Sequence, residues 1–133
     1  MEKKEEIERV KLLSPLTWAY VGDAVYEQYI RNYLVSTTQL KPNKLHIESI
    51  KYVKAAAQAE TLKKIEKELT EEELDIVRRG RNAKNHHLPK NANVAEYSHS
   101  TAFEALIGYL YLTKQERRLQ EILEKCIKAK ELN

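Results

Sequence analysis

Apolar residues recur at three- and four-residue spacing along most of this chain, and no stretch alternates apolar and polar residues between hairpin turns. A repeat near 3.6 residues gathers such side chains on one face of a helix, whereas a half-buried strand needs a period of two. The pattern therefore predicts an all-α fold. With three glycines and three prolines in 133 residues, little interrupts those helices. A chain of this length, read as a single domain over 1–133, buries roughly two-thirds of the surface its unfolded form exposes.

The helix boundaries follow from local chemistry. Ile7, Val10 and Leu13 suggest a short amphipathic helix over 5–13. Ser14-Pro15 then reads as an N-cap followed by proline at the first helical position, where its missing N–H does no harm. The next helix runs to about Leu34, and the β-branched and polar residues 35–39 read as a connector before Pro42. Leu45 to Ile65 keep a helical period with a break near Ala56, and Thr70-Glu71-Glu72-Glu73 is a capping box. The helix it opens should end at Gly80, in the position after the last turn. Residues 81–97 have no clear period. A helix starting near Ser98 or Ser100 and reaching Leu112, and a last one over about 115–129, complete a bundle of six or seven helices.

Several function classes drop out. Cys126 is the single cysteine, so no internal disulfide forms, and no apolar run approaches the roughly 20 residues that span a bilayer. The charged opening Met1–Glu6 does not read as a signal peptide. The expected setting is the reducing cytoplasm, without a membrane partner.

Chemistry concentrates in three places. On the helix from Leu16 to Leu34, at about 100° per residue, Asp23 shares a stripe with Leu16, Tyr20, Glu27, Ile30 and Leu34. A buried ionised carboxylate must be paired, protonated or bound to a cation, and a cation is the reading adopted for Asp23. The second place is Ser100–Gly108, where Glu104 sits at the edge of the face made by Phe103, Leu106, Ile107 and Leu110, with room left by Gly108. Thr101 and Glu104 also have capping-box spacing, which would give Glu104 a purely structural task. The third is 76–95, which holds Arg78, Arg79, Arg81, Lys84 and Lys90 with His86 and His87 and no acid. In a chain of net charge +3 this is a local patch suited to phosphates. Asn82, Asn85, Asn91 and Asn93 add uncharged donors. Two adjacent histidines with no further ligand at workable spacing do not make a zinc site.

Two carboxylates on neighbouring helices beside a basic loop suit a divalent ion facing a phosphodiester. Mg²⁺ takes one or two protein carboxylates and keeps several waters.

Tyr20-Val21-Gly22-Asp23-Ala24-Val25 resembles the first signature of the ribonuclease III family, and Phe103-Glu104-Ala105-Leu106-Ile107-Gly108 resembles its second acidic motif. Their order, their separation and the chain's length are similar to the Mini-ribonuclease III branch, in which the catalytic domain stands without a double-stranded-RNA-binding domain. The resemblance covers nearly the whole chain. It implies the all-helical ribonuclease III fold, a homodimer, and Mg²⁺-dependent cleavage of double-stranded RNA that leaves 5′-phosphate and 3′-hydroxyl ends. It also implies maturation of the large-subunit ribosomal RNA precursor, with a ribosomal protein as a candidate assistant. Asp23 and Glu104 are the catalytic and metal-binding residues this implies.

The chain departs from the family pattern twice. Ala19 stands where a glutamate precedes the signature aspartate by four residues, and Thr101 stands where an aspartate precedes the second-motif glutamate by three. An alternative reading is thus a non-catalytic RNA-binding or ribosome-associated protein of the same fold. A purely structural helical dimer would explain neither carboxylate. Glu27 is not carried over as catalytic, since Gln28 and Arg31 are within its reach. Tyr20, Tyr26, Tyr29, Tyr33, Tyr109 and Tyr111 read as core or subunit interface, and Trp18 with its neighbouring tyrosines as interface candidates.

Overall fold

The computed structural model describes residues 2–83 and 93–132. Among them are seven α-helices and a short 3₁₀ turn, with no strand. The helices are α1 (Glu2–Lys11), α2 (Pro15–Thr37), α3 (Pro42–Val53), α4 (Ala55–Ile65), α5 (Glu71–Asn82), α6 (Val94–Leu112) and α7 (Glu116–Glu131). The turn, Glu66–Glu68, follows α4 directly. The all-α expectation holds, and no helix among the described residues is long and apolar enough to cross a membrane.

Most boundaries follow the local signals. Ser14 caps α2 by accepting from the Leu16 amide, with Pro15 in the first turn. Thr70 and Glu73 form both halves of the capping box that opens α5. Glu73 does more than cap, because Arg118 of α7 donates to both of its carboxylate oxygens at 2.7 and 2.8 Å, and also to the Glu68 carbonyl. That pairing satisfies a carboxylate almost fully removed from water and ties α7 to the start of α5. The break expected near Ala56 falls at Lys54, whose extended backbone (ψ 153°) ends α3 and starts α4.

Four boundaries differ from the expectations. Helix α1 sits over 2–11 rather than 5–13, and α2 continues through the expected connector to Thr37. Helix α5 passes through Gly80 to Asn82, because Gly80 serves packing rather than termination: a Cβ there would lie 2.9 Å from the Ala102 Cα. Helix α6 begins at Val94, with the Asn93 side chain accepting from the Glu96 amide, about one turn before the expected start.

Helix α6 is the axis of the bundle. Its residues 100–103 and 105–110 are buried, and α2, α4, α5 and α7 pack around it. The main core joins Tyr26, Ile30 and Leu34 of α2 to Phe103, Leu106 and Leu110 of α6 and to Ile122 and Cys126 of α7. Tyr26 and Phe103 meet edge to face at 4.8 Å between ring centres. A smaller cluster holds Val10, Trp18, Ala19, Ile76, Ala105 and Tyr109. Trp18 is 0% exposed, donates from its indole nitrogen to the Val10 carbonyl at 2.8 Å, and meets Tyr109 edge to face. This corrects the reading of Trp18 as an interface residue, because its partners lie within its own chain.

Candidate active site

Helices α2 and α6 touch backbone to backbone through two glycines. A Cβ at Gly22 would lie 1.8 Å from the Glu104 carbonyl oxygen, and one at Gly108 would lie 1.8 Å from that of Trp18. Each would also come within 2.8 Å of the other glycine's amide nitrogen. Only residues without a side chain permit such an approach. Gly108 thus makes no room for a carboxylate, contrary to expectation, since α2 itself fills the space. The consequence for chemistry is geometric. Asp23 directly follows Gly22, and Glu104 lies one turn before Gly108, so the close crossing brings both acids to its rim.

Both line one shallow pocket together with Leu16, Ala19, Tyr20, Tyr97 and Thr101. The two carboxyls differ in environment, in the reverse of the expected sense. Asp23 is exposed, because Gly22 turns its own face of α2 toward α6 and leaves the next residue outside the contact. Glu104 is the half-buried member. Burial pushes its carboxyl up to about 8, the charge of the neighbouring Asp23 pushes the same way, and the Gln58 amide pulls against them. Two acids brought together at a partly buried site cannot both ionise cheaply unless a proton or a cation joins them.

The structural alternative for Glu104 falls away. Since α6 begins at Val94, Thr101 and Glu104 lie well inside the helix and form no capping box there. The Thr101 hydroxyl instead donates to the Tyr97 carbonyl at 3.0 Å. Ala19, at the other family position lacking an acid, is buried in the smaller core cluster. Glu27 is ion-paired with Arg31 at 3.1 Å. Among the described residues no group of three or more histidine, cysteine or acidic side chains could hold a metal. A pair of hard carboxylate oxygens open to water on one side still suits Mg²⁺, which fills most of its octahedron with water.

Of the basic residues singled out, Arg78, Arg79 and Arg81 lie on the last turns of α5, while Lys84 and Lys90, with His86 and His87, fall outside the described residues. The three arginines point to different surroundings. Arg78 pairs with Asp75, and the Arg79 guanidinium lies 4.8 Å above the Trp18 ring. Arg81 is exposed in a cleft shared with Lys63, Glu96 and His99. None of them lines the Asp23–Glu104 pocket.

Sequence reasoning passed over two residues. Gln58 of α4 is 1% exposed and accepts a 2.6 Å hydrogen bond from the Ser100 hydroxyl of α6. A lone amide in the alanine-rich run Ala55–Ala59 was the available signal, since a buried glutamine needs partners.

Comparison with known proteins places this geometry in context. The model of the ribonuclease III domain matches residues 16–115. The chain is 53% identical over 120 residues to Mini-ribonuclease 3 of Staphylococcus aureus, covering 89% of this chain and 90% of that protein. It is 52% identical over 122 residues to Mini-ribonuclease 3 of Thermoanaerobacter, covering 92% and 86%. A crystal structure of a Fusobacterium nucleatum protein superposes with a TM-score of 0.79 at 34% identity, covering 90% of this chain and 95% of that one.

Proposed function

The chain belongs to the ribonuclease III family, in its Mini-ribonuclease 3 group, and from that premise we propose that it is an endoribonuclease cutting double-stranded RNA by Mg²⁺-assisted hydrolysis, leaving 5′-phosphate and 3′-hydroxyl ends. The observation that carries the reading is the meeting of Asp23 and Glu104 at the glycine crossing of α2 and α6. Both residues would hold the ion as carboxylate ligands. When bound, the ion supplies a bound water of lowered pKa and positive charge beside the phosphate.

The chain's own residues prepare that chemistry. Asp23, exposed, presents its carboxylate to incoming ions and substrate. Glu104, half-buried, would hold the ion in its ionised form, and burial and the Asp23 charge favour its protonated form otherwise. Leu16, Ala19 and Tyr20 form the apolar side of the pocket, where charge interactions are less screened than in open water.

Arg78, Arg79, Arg81, Lys84 and Lys90 serve as contacts to RNA phosphates. Duplex RNA is recognised chiefly through its backbone, 2′-hydroxyls and shape, so such contacts need no base readout. The natural substrate is the precursor of large-subunit ribosomal RNA in the cytoplasm, and the working form is a homodimer.

A second reading, an RNA binder without catalysis, draws on Ala19 and Thr101 at positions where the family carries acids. One assay separates the two. Incubated with duplex RNA, the protein should cut both strands when Mg²⁺ is present and none when it is chelated. Retention of intact duplex with Mg²⁺ present would favour the binder.

A further inference from the structure

Gln58 is sealed in the interior between α4 and α6, and half of its hydrogen-bonding capacity is unused. Its Oε1 accepts from the Ser100 hydroxyl at 2.6 Å, whereas its Nε2 is fully buried without a hydrogen-bond partner. Buried amide donors are costly to leave unpaired, so an orphan of this kind calls for a partner. Ser100 and Glu104 are four residues apart on α6, hence on the same face. The Gln58 amide is near enough to Glu104 to draw its carboxyl toward the ionised form, although no hydrogen bond of proper geometry joins the two.

We propose that Gln58 is a positioning residue for Glu104: with its Oε1 fixed by Ser100, its Nε2 donates to the ionised Glu104 carboxylate and holds it in the orientation that receives the cation. This rests on the assignment of Glu104 as a metal ligand. The residue type fits the task. A lysine or arginine here would neutralise Glu104 and compete with the cation, and an acid would repel it, while an amide supplies a donor with no net charge. The flipped amide would turn Oε1 toward the carboxylate and set two acceptors against each other, whereas the orientation in which Ser100 donates to Oε1 leaves the donor on the Glu104 side. Partners behind a metal ligand that fix its rotamer in this way typically govern metal affinity by 10- to 100-fold.

The test uses Gln58→Met, which keeps the side chain's length and volume but removes the donor, and Ser100→Ala, which frees the amide to rotate. Mn²⁺ alone is titrated into each protein without RNA, with binding followed by the electron paramagnetic resonance of the free ion, and metal-free thermal midpoints are recorded alongside. Gln58→Met should weaken Mn²⁺ binding by at least about tenfold and Ser100→Ala by less. The Mg²⁺ concentration for half-maximal cleavage should rise in the same order. Wild-type Mn²⁺ affinity in folded Gln58→Met, even with a lowered thermal midpoint, would overturn the proposal and leave Gln58 a packing residue. If Gln58→Met does not fold, Ser100→Ala decides by the same criterion. Glu104→Gln distinguishes the underlying assignment: if it binds Mn²⁺ as the wild type does, Glu104 is no ligand, whatever the Gln58 variants do.

Discussion

Glu104 is the residue on which most of the site's physics turns. Its carboxyl is held near pH 8 by burial and by Asp23, well above its ordinary value near 4.5. A carboxyl with a raised folded pKa binds its proton more tightly folded than unfolded, so the stability it contributes is full below about pH 4.5 and is lost as the pH rises through about 8. Metal-free protein should therefore lose thermal stability across that window. The loss should be on the order of 2 kcal/mol after allowing for partial solvent contact, at roughly 4 °C per kcal/mol in a domain of this size. Glu104→Gln should flatten this slope, and calorimetry of both proteins from pH 5 to 8 without metal checks it. An unchanged slope in Glu104→Gln would assign the titration to another group. Divalent metal binding should run oppositely and tighten with rising pH, because the ion displaces the proton.

At the scale of elements, the site depends on how closely α2 approaches α6. Gly22→Ala or Gly108→Ala places a methyl carbon 1.8 Å from a carbonyl oxygen of the facing helix, so the helices must separate. Either change should cost about 3 kcal/mol or more and abolish activity by moving Asp23 away from Glu104. Gly80→Ala, with its nearest neighbour at 2.9 Å, should cost markedly less, because part of the clash is offset by alanine's better helix propensity. Denaturant unfolding of the three variants ranks them, and equal costs would contradict the view of the α2–α6 crossing as the tightest contact. The same crossing marks how far the sequence is readable. Caps are local, so Ser14, Thr70 and Glu73 announce helix starts without knowledge of the fold. The roles of Gly22, Gly80 and Gly108 depend on which helix arrives opposite, so the chain alone makes Gly80 look like a helix end and Gly108 like open space. Asp23 and Glu104 stand out in their motifs, but which of them is buried is set by the tertiary crossing. Gln58 looks like one polar residue among alanines until Ser100 is seen against it.

At the scale of the whole molecule, one surface beside the site, which also carries Glu27 and Gln28, presents two exposed tyrosines. Tyr20 is 82% exposed and Tyr111 53%, and with Val21, Ala24 and Val25 they border the outer side of Asp23. Large exposed aromatic groups clustered in this way suit burial against a second copy, and a homodimer of the kind proposed would use this face. Tyr20→Glu should shift the protein from dimer to monomer in sedimentation without lowering helix content. A dimer unaffected by Tyr20→Glu would move the interface elsewhere. Doubling the basic ends of α5 in such a dimer would lengthen the track for phosphates, and binding to duplex RNA should fall steeply as salt rises.

The central claim is that Asp23 and Glu104 together hold the ion that cuts RNA. It is tested most directly by cleavage of an end-labelled RNA duplex at saturating Mg²⁺ by Asp23→Asn and Glu104→Gln, with helix content checked in parallel. Both variants should remain folded, keep their affinity for the duplex and lose cleavage by at least about a hundredfold. Cleavage at the wild-type rate by either folded variant would contradict the account.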